Sequence, residues 1–243
     1  MKKKNFFCMT AVLFLLSSCI VVQANSYEVG KNESRAYPLR DFSAIEVSGA
    51  IHVEFVQSNN QSYRVKAVGS HSMLPKLQME VRNHVLIIKQ KSNPGIHSGN
   101  NHLTVYVQSP NLQSVKASGA CDVLIRALNA SAVRLEARGS SDIKVIRLTA
   151  NSLEVWLQGS SDARLAGKVS KAVYTCSGSS DVRAYDLKAE EVSATCSGSS
   201  DVYCFATRSV SAKASGSSDI RIKGNPVQRQ FDKSGSSDIH VLH

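Results

Sequence analysis

The chain has 243 residues, six cysteines and a formal net charge of +10 at pH 7. No cysteine pair has C-x-x-C spacing and no Cys/His cluster has metal-ligand spacing, which excludes a zinc-finger type of protein. A nucleophile elbow, a phosphate loop and a dinucleotide fingerprint are also missing from the sequence, so the enzyme classes that these motifs mark are excluded.

The first residues predict export. Lys2, Lys3 and Lys4 precede a short apolar stretch at residues 11–16, whereas a membrane-spanning helix needs about 20 apolar residues. The segment Leu16-Ser17-Ser18-Cys19 resembles a bacterial lipobox, which predicts a lipoprotein signal peptide over residues 1–18 and lipidation of Cys19. The alternative is ordinary cleavage after Val22-Gln23-Ala24, a site of the A-x-A type.

Export and charge together limit the partners. Without the three lysines of the signal segment the formal net charge falls from +10 to +7. Nucleic acid is not expected as a partner of an exported protein, so the charge indicates solubility and weak attraction to anionic glycans or lipid headgroups. We expect a cell-envelope, outer-membrane lipoprotein that contacts the membrane through its lipid, with periplasmic and surface exposure both open.

Beyond a polar tether at residues 19–36, residues 37–243 are predicted to form one all-β domain. Its divergent N-terminal part, residues 37–110, contains two predicted hairpins. In the first, alternating apolar residues such as Val53, Phe55 and Val65 flank a turn at residues 58–61; in the second, residues 77–81 and 86–88 flank a turn at residues 82–84. A loop at residues 91–101 and a strand at residues 103–107 follow.

Residues 111–243 contain a repeat of Gly-Ser-Ser-Asp or a close variant. The repeat glycines are Gly119, Gly139, Gly159, Gly178, Gly198, Gly216 and Gly235. Apolar residues recur two, four and six residues from most of these glycines, as in half-buried strands, with a softer bend near Leu128, Leu148 and Leu187. The interval of 18 to 20 residues predicts a parallel β-helix, or solenoid, whose coils contain two strands each. Because Ser48-Gly49 also begins such a unit, the N-terminal part is expected to continue the same stack.

The repeat aspartates are expected to form a column along the solenoid. They are Asp122, Asp142, Asp162, Asp181, Asp201, Asp219 and Asp238. Adjacent carboxylates about 5 Å apart repel by roughly 0.8 kcal/mol even in water, so the column must be exposed or compensated. Hydrogen bonds to backbone N–H groups of the same turn could compensate it, as could a basic column two residues further on. That column contains Lys144, Arg164, Arg183, Arg221 and His240.

Two functional alternatives for the aspartates are calcium between coils and a polygalacturonase-like acid pair. A catalytic site needs one unique arrangement, whereas this feature recurs seven times. We therefore expect a structural role, with no catalytic, cofactor-binding or metal-binding residues.

The remaining candidates are cysteines, aromatic residues and two cations near the end of the chain. Cys176 and Cys196 should be neighbours roughly 4.8 Å apart on adjacent coils, either as buried thiols or as a disulfide. Tyr185 and Phe205 share a repeat position, and Trp156 has an outward phase; corner packing and sugar stacking are the alternatives for these aromatic residues. Arg229 and Lys233 occupy otherwise apolar positions and are expected to discourage edge-to-edge association.

Several segments together resemble the family of the putative auto-transporter adhesin, head GIN domain, over about residues 38–243. They are Arg40–Gly49, Val85–Ile88, Val105–Val107, Pro110–Leu112 and the Ser-Gly-Ser-Ser-Asp turns at Ser177, Ser197, Ser215 and Ser234. The resemblance implies a β-helix in envelope proteins of Bacteroides-type bacteria, similar to pectin-lyase-type solenoids but without their catalytic set. Adhesion is the role proposed for this family.

The sequence therefore predicts a non-enzymatic cell-envelope β-solenoid, an adhesin or surface-interaction lipoprotein. Glycans, envelope components and a second copy of the chain are the candidate partners. The alternative is a carbohydrate-binding or polysaccharide-cleaving β-helix protein. A third interpretation is a periplasmic structural or signalling accessory.

Overall fold

The computed structural model describes residues 32–91 and 103–242, and its architecture is a β-solenoid of about six turns. A short 3-10 helix, Leu74–Lys76, lies between the fourth and fifth strands. The strands are β1 (Glu33–Tyr37), β2 (Ala44–Gly49), β3 (His52–Gln57), β4 (Arg64–Gly69), β5 (Leu77–Arg82), β6 (Val85–Gln90), β7 (Leu103–Ser109), β8 (Ser114–Gly119), β9 (Asp122–Ile125), β10 (Leu128–Gly139), β11 (Asp142–Gly159), β12 (Asp162–Gly178), β13 (Asp181–Gly198), β14 (Val202–Ala214), β15 (Asp219–Lys223), β16 (Gln228–Lys233) and β17 (Asp238–Val241).

The repeats stack in parallel, as the sequence predicts. β8, β10, β11, β12 and β13 pair in register, so that each turn glycine lies beside the turn glycine of the next coil. In β11, β12 and β13 a nearly continuous strand runs from one turn to the next, and register shifts after Val145, Arg164 and Ala184 mark the softer bend. These shifts absorb the variation in repeat length.

The inner columns form one hydrophobic core. Positions four residues before and four after the turn glycine are buried from the coil of Val115 and Val123 through that of Ala212 and Ile220. The last described coil differs, since Phe231 at the equivalent position is 42% exposed.

The turn glycines are required by the stacking itself. Gly159 has φ +93°, and a Cβ added there would lie 2.7 Å from the carbonyl oxygen of Gly139. Other residues rarely adopt this backbone conformation, and the close approach leaves no room for a side chain. The regular interval between the turn glycines therefore follows from the close contact between adjacent coils.

The N-terminal part continues the stack, with Gly49 of β2 beside Gly119 of β8, and β3 beside β9. The predicted second hairpin is confirmed, because β5 and β6 pair antiparallel and Asn83 and His84 in their turn have positive φ. The predicted first hairpin is wrong. β7 lies between β3 and β4, parallel to β3 and antiparallel to β4. Alternation in a sequence identifies the buried face of a strand but not the strand that pairs with it.

The predicted tether includes one strand that the sequence did not indicate. β1 pairs antiparallel with β4 although four of its five residues are exposed. Its ladder is made by the backbone at the edge of the sheet, so its composition carries no apolar signal. The signal peptide, Cys19 and most of the predicted loop at residues 91–101 lie outside the described residues. Within the described ranges no helix is long and apolar enough to cross a membrane.

Candidate functional site

The strands that follow the turn glycines present one outer surface, which we call the aspartate face. It consists of the repeat aspartates and of the outward residues two and four positions after them. Asp122, Asp142, Asp162 and Asp181 are direct register partners on successive coils, which confirms the predicted column. All seven repeat aspartates are exposed or half-buried.

The carboxylates bond to the neighbouring coil rather than to their own turn. The backbone N–H of Asp219 donates to Oδ1 of Asp201 at 2.9 Å, and that of Asp201 donates to Oδ1 of Asp181 at 3.2 Å. Equivalent bonds link Asp181 to Asp162 and Asp162 to Asp142. The carboxylates of Asp142, Asp162, Asp181 and Asp201 thus each satisfy a backbone donor of the next coil, which corrects the expectation of bonds within one turn. This ladder joins coils and gives the repeated aspartates a structural role.

Basic and phenolic side chains flank the aspartate ladder over its second half. Nη2 of Arg183 lies 3.1 Å from Oδ2 of Asp181, and Nη2 of Arg221 lies 3.0 Å from Oδ2 of Asp219. Between them the Tyr203 hydroxyl donates to Asp201 at 3.0 Å and accepts from Arg221 at 3.1 Å. Burial, followed by the hydrogen bond to Asp201, raises the pKa of Tyr203, so its hydroxyl stays protonated and remains a donor. These contacts offset the repulsion along the column.

Over its first half the aspartate face contains a groove of about 530 Å³ that spans several coils. Ile146, which is 44% exposed, and Leu124 provide apolar area. The charged and titratable residues that line the groove are His52, Asp122, Asp142, Asp162, Arg126, Lys144 and Arg164. The groove therefore offers hydrogen-bond donors, acceptors and an apolar strip, the combination that suits a polar polymer lying across the coils.

A second ladder lies inside the turns and was missed by the sequence analysis. The second serine of each turn is buried, with Ser141, Ser161, Ser180, Ser200 and Ser218 each at 0% exposure. Ser180 Oγ accepts the backbone N–H of Ser161 at 3.4 Å and lies 3.2 Å from the carbonyl oxygens of Gly159 and Ser177. In the sequence, the second of two consecutive serines looks like an ordinary turn residue. In the structure its hydroxyl satisfies buried backbone groups of adjacent coils.

The cysteines lie in the core. Cys176 and Cys196 are register partners on adjacent coils, as predicted, and both are buried free thiols, as are Cys121 and Cys204. A hydrogen bond with Cys196 and burial hold the pKa of the Cys176 thiol far above its usual value. Burial raises the pKa of Cys204 to about 12. Both thiols are therefore protonated and poorly nucleophilic at neutral pH.

The aromatic candidates separate into two groups. The predicted pairing of Tyr185 with Phe205 is wrong, because the register shift in this coil places Phe205 beside Lys188. Tyr185 instead meets Tyr203 edge to face, with ring centroids 5.5 Å apart, and the Lys223 ammonium lies 4.3 Å from the Tyr185 centroid. Trp156 stands apart from this group on the strands before the turns and is 39% exposed.

Among residues 32–91 and 103–242 no group of three or more His, Cys, Asp or Glu side chains has the arrangement of a metal site. The two cations predicted to protect an edge lie on β16, in the last described coil. Arg229 donates to the carbonyl oxygen of Pro226 and to Oδ1 of Asn225, both at 2.8 Å, and Lys233 bonds Asp238 at 3.1 Å. Both side chains are exposed, and their role against edge-to-edge association stays a prediction.

These features define a repetitive β-solenoid whose coils are joined by side-chain ladders. The family model for the putative auto-transporter adhesin, head GIN domain, matches residues 41–226, and the chain belongs to this family. A structure of a putative adhesin from Bacteroides fragilis is 24% identical and superposes with a TM-score of 0.83, covering 87% of this chain and 97% of that one.

Two further solved structures show the same fold, each covering 87% of this chain and 97% of the other chain. A putative adhesin from Parabacteroides merdae is 20% identical with a TM-score of 0.67. A putative lipid binding protein from Parabacteroides distasonis is 20% identical with a TM-score of 0.65. Comparison with curated protein sequences gives no match. The family indicates an adhesin-like protein of the cell surface or envelope.

Proposed function

We propose that this protein is a non-enzymatic, lipid-anchored adhesin of the cell envelope that binds charged envelope glycans through the groove of the aspartate face. One observation carries the proposal: the groove lies beside aspartates whose carboxylates are already engaged in hydrogen bonds between coils. The carboxylates of Asp142 and Asp162 accept backbone N–H groups of the next coil and so support the solenoid. Lys144, Arg164 and the apolar strip beside them line the groove and are available to a ligand.

Binding by the groove is tested with the double variant Lys144→Gln and Arg164→Gln. Both side chains are exposed and line the groove. We expect the variant to lose binding to anionic glycans on an array, and we expect binding by the native protein to weaken as salt rises. The matched control is Lys168→Gln with Lys188→Gln, which removes the same charge from an exposed pair on other strand segments. If the control variant lost as much glycan binding as the groove variant, the groove would be rejected as the glycan-binding site.

The alternative function is cleavage of an acidic polysaccharide by a pair of aspartates. Asp142 and Asp162 are register partners in the groove, which is the observation in favour of this alternative. A reducing-sugar release assay on the glycans that bind separates the two functions. Binding without release supports the adhesin, whereas release that Asp142→Asn or Asp162→Asn abolishes supports the enzyme.

The anchor is tested by metabolic labelling with a palmitate analogue in a bacterial host. We expect the full-length protein to be labelled and Cys19→Ala to be unlabelled and released from the membrane fraction. Labelling that persists in Cys19→Ala would reject lipidation at this residue. Protease treatment of intact cells then distinguishes the surface from the periplasmic face, because only a surface protein is digested without permeabilisation.

A further inference from the structure

Trp156 is a large aromatic residue in a column whose neighbouring members are polar. Its register partners on the adjacent coils are Glu136 and Thr175, and Thr195 follows on the next coil. The indole is 39% exposed on the outer face of β11, three residues before the turn glycine Gly159. Because more than a third of the residue is open to solvent, corner packing, the structural explanation open at the level of sequence, does not account for it. A large aromatic ring standing beside short hydroxylated side chains forms a step on the surface.

A groove of about 330 Å³ lies along this step. Its polar lining includes Arg138, Gln158, Thr175 and Ser177. Ser161 and Ser180 bond to the backbone carbonyls of Gln158 and Ser177, so these contacts do not use the side chains of the two groove residues. An amide, two hydroxyls and a guanidinium within reach of an exposed ring are suited to the hydroxyl groups and the apolar face of a sugar.

The charges around Trp156 are balanced locally. Arg134 lies over the indole with its guanidinium carbon 5.4 Å from the ring centroid and is paired with Glu154 at 3.2 Å. Arg138 is paired with Glu136 at 2.7 Å. Two cations and two carboxylates that neutralise each other leave no net charge to attract an ionic ligand. The charge distribution therefore favours an uncharged ligand at this site.

We infer that the Trp156 groove binds a neutral pyranose unit of a polysaccharide, with the sugar ring stacked on the indole and its hydroxyl groups bonded to Gln158, Thr175 and Ser177. This site lies on strands before the turns, whereas the aspartate face lies after them. The inference therefore does not rest on ligand binding by the aspartate face, and either site can fail without the other.

The single tryptophan of the chain makes the test direct, because all indole fluorescence comes from Trp156. The probes are neutral gluco-, manno-, xylo- and galacto-oligosaccharides, with an oligogalacturonate as the charged comparison. We expect at least one neutral probe, but not the oligogalacturonate, to change the emission saturably and to protect the indole from acrylamide quenching. Unchanged emission with every neutral probe up to about 10 mM would overturn the inference.

Variants then distinguish stacking from a remote effect. By calorimetry we expect Trp156→Ala to bind the responding probe about tenfold more weakly or worse, and Trp156→Phe to retain part of the affinity because it keeps a ring. Tyr106→Ala is the matched control, since Tyr106 is a comparably exposed aromatic residue, at 43%, on β7. Equal affinity of Trp156→Ala and the native protein would overturn the inference, as would an equal loss in Tyr106→Ala. Lys144→Gln with Arg164→Gln should leave this binding unchanged.

Discussion

Replacing Gly159 with alanine tests whether coil stacking requires the turn glycines. The added Cβ would lie 2.7 Å from the carbonyl oxygen and 3.2 Å from the nitrogen of Gly139. Both atoms belong to the backbone of the adjacent coil, so no side-chain rotation relieves the contact. The variant must separate the two coils or distort the turn, and either change weakens the ladders on both sides of it.

The expected loss of stability follows from two contributions. A residue held at an unfavourable positive φ costs about 1–3 kcal/mol, and the short backbone contact adds to this. We therefore expect Gly159→Ala to lose at least about 2 kcal/mol. In a chain of this size that loss lowers the thermal midpoint by roughly 4–8 °C. Far-UV circular dichroism measures the midpoint; only midpoints are compared, because stacked repeats need not unfold in one step.

Two further variants make this prediction refutable. Ser160→Ala changes the next, exposed residue and should stay within about 0.5 kcal/mol of the native protein. Gly235→Ala introduces the same 2.7 Å contact, with Gly216, but in the last coil. Its effect should be smaller because only that coil needs to detach. If Gly159→Ala melts no lower than Ser160→Ala, the argument that stacking demands these glycines is refuted.

The remaining predictions concern the ladder, the thiols and the two cations of the last described coil. Asp201→Asn keeps an acceptor for the backbone N–H of Asp219 but not the second oxygen that accepts the Tyr203 hydroxyl, so in urea unfolding it should lose less stability than Asp201→Ala. Asp201→Ala should lose about 1–2 kcal/mol, and the reverse order would contradict the structural ladder. The raised pKa of Cys176 keeps its thiol protonated, so iodoacetamide at about pH 8 should label this residue only after denaturation. Mass spectrometry measures the labelling, and rapid labelling of Cys176 in the native protein would contradict the prediction. Arg229→Val with Lys233→Ala should promote self-association in light scattering at high concentration, and an unchanged mass would count against it.

The repeat made most of the fold predictable, because stacking imposes a constraint at a fixed interval. The glycine period and the buried columns give the coil, its turn and its soft bend near Leu148. Pairing outside the repeat could not be predicted in the same way. β4 carries the alternation expected of a partner for β3, yet pairs with β7, since a buried face does not specify which strand lies beside it.

In the candidate sites, too, the repeat predicted where side chains lie but not which groups they bond. The aspartate column could be predicted as a column, but its bonds could not, because only the structure shows that the carboxylate of Asp201 reaches the next coil. The buried serines were hidden for a related reason. Ser179 and Ser180 are chemically identical in the sequence, yet the first is exposed and the second is buried among backbone carbonyls.

The positions most informative about ligands are therefore those that depart from the repeat. A residue type that recurs on every coil is explained by contacts between coils, as the aspartate and serine ladders demonstrate. Leu124 interrupts the charged column that contains Glu54 and Lys144, and together with Ile146 it supplies the apolar strip of the groove. Trp156 similarly interrupts a polar column and creates the step of the second groove. Because stacking does not require these three side chains, substitutions at them should alter binding with little effect on the thermal midpoint.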